Sequence, residues 1–289
     1  MHEPFSSVNG GPGTRDAIRI LCLGDVVGRT GRRLLSESLP SLRAALGLDM
    51  VVANGENAAG GIGLTPETLK ELKASGVDVV TSGNHIWKHR ESCAALDREP
   101  FLLRPANYGD KVPGKGQCVF SLADGTRVGI VNLLGRTFME PAHCPFAAAD
   151  RALEALQEQE TVCRIVDFHA EASSEKRAML HYLDGRCSAV FGTHTHVQTA
   201  DAAVTSRGTA SLTDLGMCGV EQDSVIGMAK EPVLKRFVTG LPQPFRPAQG
   251  SASFNGAPVE IEKNTGKPLS LELLRGNPGR NGLVNISPR

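Results

Sequence analysis

Six short apolar runs, each followed at once by a loop rich in Gly, Asn, Asp or His, most constrain what this chain can fold into: IRILCLGDVVG, MVVANGENAAGG, VDVVTSGNH, RVGIVNLLG, CRIVDFHAE and SAVFGTHTH. Each run is too short for a globular helix and rich in Val and Ile, so each reads as a strand buried on both faces. Helix-period segments intervene at about 31–46, 65–75, 89–96, 147–160 and 174–184. The second opens on Thr65 and Pro66, a cap followed by proline at the first helical position. Strands alternating with helices predict an α/β sheet protein. Beyond about 209 the texture changes to Gly/Pro-rich segments with alternating apolar positions, such as GAPVEIEKNTGKPLSLELLR, which predicts antiparallel strands joined by turns.

One domain is expected over 18–275, between a disordered leader at 1–17 and a mobile C-terminal segment at 276–289. Lys plus Arg and Asp plus Glu both total 31, so the formal charge is zero and gives no electrostatic reason to expect a duplex nucleic acid or a membrane as partner. A small anionic ligand needs only a local positive site. The leader has no charged segment running into an apolar one, and no apolar run approaches the ~20 residues of a membrane helix. The 7 cysteines are scattered without a CxxC pair and several fall inside strand-like runs, which reads as buried reduced thiols and a cytoplasmic protein. Homo-oligomerisation is left open.

Chemistry concentrates immediately after the apolar runs: Asp25; Asn54, Glu56 and Asn57; Asn84 and His85; Asp167, His169 and Glu171; His194 and His196. Taken singly, a strand-end Asp is often a helix cap, an Asn a turn residue and a His a satisfied core group. Recurrence at five or six strand ends is a different matter, because ligands in open α/β sheets bind outside the carboxyl ends of the strands. His194 and His196 are two apart, so in an extended chain they would face one side and reach two ions lying together. Imidazole, carboxylate and amide donors suit Mn, Fe or Zn, whereas a structural zinc site would use clustered thiolates. Two ions ~3.5–4 Å apart are a common device for phosphate-ester hydrolysis, and Glu56 is the candidate bridge between them. Two divalent ions, the Asp25 and Glu56 carboxylates and one hydroxide leave roughly +1, which would attract a phosphate anion.

The motifs GDVVG, NGENAAGG, SGNH, DFHAEASSEK and GTHTHVQTAD resemble the calcineurin-like metallophosphoesterases, most closely their bacterial YmdB-type branch, and the likeness runs from Ile18 to Arg275 through RPAN, GRTF and TDLGM. The resemblance implies a four-layer α/β/β/α sandwich with a dinuclear metal site at the strand ends, the late antiparallel strands completing the second sheet. It implies that Asp25, Glu56, Asn57 and His196 bind one ion, that Glu56, Asn84, His169 and His194 bind the other, and that His85 is the general acid. The superfamily's first motif is usually Asp-x-His, but here it reads Asp25, Val26, Val27. Asn57 would replace the missing imidazole, and its harder amide oxygen leans toward Fe or Mn over Zn. The reaction so implied is attack by a metal-bridging hydroxide on a phosphodiester, His85 protonating the departing ribose oxygen. The branch further implies cyclic nucleotides, the 2',3'-cyclic ones especially, as substrates.

Other readings are weaker. Gly24, Gly28 and Gly31 do not form GxGxxG, and no P-loop lysine follows. Arg29, Arg32 and Arg33 could touch a phosphate, though arginines on a helix surface usually do not. His89 reads as an exposed second-turn residue, and His2, His143 and His181 as surface residues. Asp167 and Glu171 are candidates for orienting an imidazole, with a simple salt bridge an equal alternative. No GxSxG elbow or activated cysteine is evident. Against the phosphodiesterase stand a regulatory protein that keeps the ions but mainly binds a nucleotide or partner, and a mononuclear hydrolase of amides or carboxylate esters.

Overall fold

The computed structural model describes residues 16–276 and 286–288. The first half alternates strand and helix: β1 (Ala17–Val26), α1 (Gly28–Leu46), β2 (Met50–Asn54), α2 (Pro66–Ala74), β3 (Val79–Thr81), a 3-10 turn (Asn84–Trp87) and α3 (Glu91–Arg98). Next come β4 (Gln117–Ser121), β5 (Arg127–Leu134), α4 (Pro145–Glu158), β6 (Cys163–His169), α5 (Ser173–Leu183) and β7 (Ala189–Thr193). Then follow β8 (Ala203–Val204), β9 (Ala210–Leu212), β10 (Met217–Val220), β11 (Ser224–Val225), β12 (Met228–Ala229), α6 (Lys230–Thr239), β13 (Ala252–Glu262), β14 (Pro268–Gly276) and β15 (Ile286–Pro288).

One sheet has the order β15-β14-β13-β10-β1-β2-β3, the other β4-β5-β6-β7-β9-β8. Strands β1, β2 and β3 run parallel, as do β5, β6, β7 and β9, so the carboxyl ends within each set share an edge. The alternation of side chains along each strand builds three cores. On β1, Ile18, Ile20 and Cys22 enter the layer between the sheets, where they meet Val128, Ile130, Ile165 and Phe191 of the other sheet. Leu21 and Leu23 face the opposite way, toward Leu35, Leu39 and Leu42 of α1 and Leu69 and Leu72 of α2. Val131, Leu133, Val166 and Phe168 pack on Leu153 and Leu156 of α4 and Met179 and Leu180 of α5. Helix, sheet, sheet and helix are therefore the four layers expected. Phe191 is 1% exposed between the sheets, and truncating it to alanine would cost about 3–5 kcal/mol.

Two expectations change. The late strands β13 and β14 join the first sheet, not the second, with β13 antiparallel to β1 from Ala17 through Leu23. On the side away from β2, most of β1 pairs with β13 and its end with β10, and Ala257, Val259 and Ile261 stand opposite Cys22, Ile20 and Ile18 in the same buried layer. Helix α6 was not foreseen, because Val233 is its one buried side chain and no apolar stripe marks it. Of the C-terminal segment expected to be mobile, 286–288 pairs with β14 as an edge strand. Positions 277–285 and 289, and the leader up to 15, lie outside the described residues. Among the described residues no helix is long and apolar enough to cross a membrane, and all seven cysteines are free thiols.

Candidate metal centre

The carboxyl edges of both sheets meet at one rim, and every residue singled out as a ligand is there. Asp25 stands near the end of β1, Glu56 and Asn57 just past β2, and Asn84 and His85 open the 3-10 turn after β3. From the other sheet, β6 ends on His169 and β7 runs into His194 and His196. Asp25, Glu56 and His169 are fully buried. Glu56 Oε1 lies 3.1 Å from His169 Nε2 and 3.2 Å from His85 Nδ1, while Asp25 Oδ1 is 3.6 Å from His196 Nε2. Side chains remote in sequence thus share one cavity across the seam between the sheets.

Hydrogen bonds fix how each imidazole faces it. Thr193 Oγ1 donates to Asp167 Oδ1 at 2.7 Å, since a carboxylate can only accept. The same hydroxyl, 2.9 Å from His169 Nδ1, must therefore accept from that ring, which leaves Nε2 directed at Glu56. His194 Nε2 donates to Glu171 Oε2 at 3.0 Å, leaving Nδ1 inward. His196 Nδ1 donates to the Ile226 carbonyl at 2.9 Å, leaving Nε2 inward. Asp167 and Glu171 are thus the orienting groups behind two of the rings. Asn54 is scaffold: its amide donates to Ser82 O and Asp167 Oδ2, and its oxygen accepts from Glu56 N.

The path of the two neighbouring histidines differs from the extended chain expected. Strand β7 stops at Thr193, and His194 and His196 have φ of 101° and 64°, in the left-handed region that side chains rarely adopt. A turn, not strand alternation, brings both rings to the rim. What holds it was not legible in the sequence. Asp214 Oδ2 accepts from Thr195 N at 3.1 Å, from Thr195 Oγ1 at 2.8 Å and from Lys176 Nζ at 2.6 Å, and Oδ1 accepts from Gly216 N at 2.8 Å. Gly216 O in turn accepts from Asp25 N at 3.1 Å. A buried ion pair therefore clamps the histidine turn to the strand that carries Asp25.

The donor set fits metal ions. Glu56, His169 and His194 each offer an atom within 4.8 Å of the others. Asn84 Oδ1 is buried with no hydrogen-bond partner among the described residues, as a ligand oxygen would be. Gly83 leaves the room required: a Cβ there would lie 2.2 Å from His169 Cδ2 and 2.3 Å from Glu56 Oε2. Asn57 presents Nδ2 to His196 Nε2 at 3.0 Å, Glu56 Oε1 at 3.3 Å and Asp25 Oδ1 at 3.4 Å, and Oδ1 to His85 Nδ1 at 3.1 Å. Half a turn of its terminal torsion exchanges the two atoms.

Charge balance points the same way. Burial favours neutral carboxyls, yet the His196 and His169 rings hold Asp25 below its ordinary value, and His169 with His85 holds Glu56 well below. Burial likewise opposes charge on the imidazoles, yet Asp25 carries His196 up to about 9 and Glu56 raises His169. Burial, reinforced by His169, pushes His194 down to about 4. Asp167 is raised by burial to about 6. Two buried carboxylates thus demand positive charge in the pocket, which protons on imidazole or metal ions can supply.

The remaining sequence candidates are elsewhere. Arg32 binds Glu71 and the Ala58 carbonyl, Arg33 lies near Glu37, and Arg29 is exposed. His89 is half-buried and not on a helix face; its Nε2 donates to the Ile62 carbonyl at 3.1 Å and steadies the loop before α2.

A four-layer α/β/β/α sandwich with imidazole, carboxylate and amide donors gathered at the strand ends is the fold of the metallophosphoesterases. Within that class, the profile described as YmdB-like protein matches residues 21–274, and the chain belongs to that family. It is 44% identical over 255 residues, 88% of this chain and 96% of the relative, to a Bacillus subtilis (strain 168) protein named 2',3'-cyclic-nucleotide 2'-phosphodiesterase. A crystal structure of a hypothetical protein from Thermus thermophilus superposes with a TM-score of 0.84 at 44% identity, covering 90% of this chain and 99% of that one. A crystal structure described as a novel phosphatase from Mycoplasma pneumoniae gives 0.84 at 35% identity, covering 90% and 94%.

Proposed function

We propose that the chain is a metal-dependent phosphodiesterase that hydrolyses 2',3'-cyclic nucleotides. The observation that carries this reading is the commitment of one nitrogen of each of His169, His194 and His196 to an outward acceptor, so that the other faces two buried carboxylates. The name of the Bacillus subtilis relative supplies the substrate class. Asp25, Glu56, Asn57 and His196 would hold one ion; Glu56, Asn84, His169 and His194 would hold the second. Ions bound there acidify water at neutral pH and neutralise charge on the phosphoryl oxygens. The amide oxygens of Asn57 and Asn84 favour Fe or Mn over Zn. The free thiols suit a reducing cytoplasm.

The chain's own groups do the rest. Glu56 Oε1 and Asn57 Oδ1 lie 3.2 and 3.1 Å from His85 Nδ1 and accept from it, so the ring's opposite nitrogen is the one left to pass a proton to the departing ribose oxygen. His85 is one-third exposed, which lets substrate reach it, whereas Asp25, Glu56 and His169 behind it are fully buried. Turnover of 2',3'-cyclic AMP by metal-loaded protein tests the reading. A fall of ~10²–10⁴-fold in kcat for His85→Ala, with metal content unchanged, supports it. Tight nucleotide binding without product would favour a regulatory role instead.

A further inference from the structure

A second polar cavity lies at the opposite end of the second sheet, where β6 and β7 begin. Its volume is about 90 Å³, and its walls carry Arg164, Arg186, Arg207 and Lys267 together with Ser188. The cations come from separate pieces of chain: Arg164 from β6, Arg186 from the turn before β7, Arg207 from the β8–β9 turn and Lys267 from the β13–β14 turn. No Asp or Glu lines the cavity among the described residues. Arg186 is ion-paired with Asp150, but among the described residues Arg164, Arg207 and Lys267 have no carboxylate partner.

Arg186, Arg207 and Lys267 are exposed, so water screens part of their mutual repulsion, and a bound anion would relieve the remainder. Two of the cations lie across glycine backbone: a Cβ on Gly185 would sit 3.2 Å from Arg207 Nε, and one on Gly208 would sit 3.4 Å from Lys267 Cδ. A neutral donor is present as well. Ser188 is 3% exposed, its hydroxyl oxygen accepts from Arg164 N at 3.2 Å, and its hydrogen has no acceptor among the described residues.

We propose that this cavity binds a phosphoryl dianion, either inorganic phosphate or the monoester end of a nucleotide. A tetrahedral oxyanion offers acceptors in enough directions for guanidinium forks, an ammonium and a hydroxyl converging from different sides, which a planar carboxylate does not. The space takes one such group, so the rest of a nucleotide would lie outside it. The site is separate from the metal centre: Arg164 is the second residue of β6 and His169 the last, which places them on the order of 17 Å apart along the strand. Because Lys267 lies in a turn of the first sheet, and Arg164 with the turns carrying Arg186 and Arg207 in the second, the bound anion would tie the sheets together at the end remote from catalysis. The inference stands independently of the catalytic reading.

The test compares wild-type protein with the Arg207→Ser/Lys267→Ser double variant, both metal-loaded, so that phosphate binding at the metal centre is common to the two. Orthophosphate, adenosine 3'-monophosphate and sodium chloride of matched ionic strength form the three arms. At ~10-fold excess over Kd, either phosphate should raise the wild-type Tm by roughly 2–6 °C more than it raises that of the variant. Amide resonances of Gly185, Gly208 and Gly266 should shift in the wild type only. Equal Tm rises in both proteins, or amide shifts confined to the metal rim, would overturn the proposal. Tighter binding of the monoester would identify a nucleotide as the ligand, and equal binding free phosphate. Unchanged phosphodiester turnover and metal content in the variant serve as the control for folding.

Discussion

His169 Nε2 and His194 Nδ1 lie 3.0 Å apart, and each ring's other nitrogen already donates outward, to Thr193 Oγ1 and to Glu171. Two imidazole lone pairs cannot face each other at that distance unless positive charge lies beside them. A proton on His169, favoured by Glu56, is one solution; a metal ion bound by all three is the other.

The hydroxyl behind His169 should therefore matter to metal affinity more than to the fold. Thr193→Val keeps the branched shape but removes the acceptor that fixes the ring, leaving Asp167 Oδ1 without its donor. Metal affinity, measured by competition with a chelator, should fall ~10–100-fold with the secondary structure intact. Unaltered affinity would show that the tautomer is fixed some other way.

Gly83→Ala should be more severe at the metal than anywhere else. Its Cβ would occupy space within 2.3 Å of Glu56 Oε2 and against the His169 ring. Elemental analysis of the purified variant should find metal largely absent. Normal metal content and turnover would mean that the rim relaxes more readily than its packing allows.

The clamp under the histidine turn predicts a stability effect with a definite non-additivity. Lys176→Met leaves Asp214 buried without its cation, which should cost about 3–5 kcal/mol in urea unfolding. Adding Asp214→Asn should restore part of that loss, because no charge is then stranded. Additive losses in the two single variants would contradict the clamp.

Protons and metal compete for the same atoms, and the sign follows from the imidazoles. Burial would lower His196, yet Asp25 carries it up to about 9; Glu56 likewise lifts His169 against burial. Uptake near pH 7 should expel protons from both rings, so affinity rises with pH and levels off above about pH 9. Calorimetry in buffers of different ionisation enthalpy should register that release, and none would speak against it. In chelated protein the raised His196 contributes stability that is complete below its unfolded value of ~6.5 and is lost as pH climbs through about 9.

Much of this architecture is legible in the sequence because parallel strands buried on both faces must be continuous apolar runs, and their polar residues are pushed to the ends. That logic finds Asp25, Glu56, His169 and the two later histidines without coordinates. It does not join Asp214 to Lys176: each lies within a recognisable motif, TDLGM and DFHAEASSEK, but their meeting across 38 positions is set only by the fold. Helix α6 escapes because it buries almost nothing, and the sheet to which β13 belongs depends on register with β1, not on its own alternation. The left-handed backbone at His194 and His196 is a tertiary effect, imposed by the bonds from Thr195 to Asp214.

The most direct test is a titration of chelated protein with Mn or Fe(II), following hydrolysis of 2',3'-cyclic AMP against metal added per chain. Two ions held by shared Glu56 predict no activity at the start and a rise that reaches its plateau at two equivalents. Full activity in the chelated protein, or a plateau at one equivalent, would contradict the paired centre.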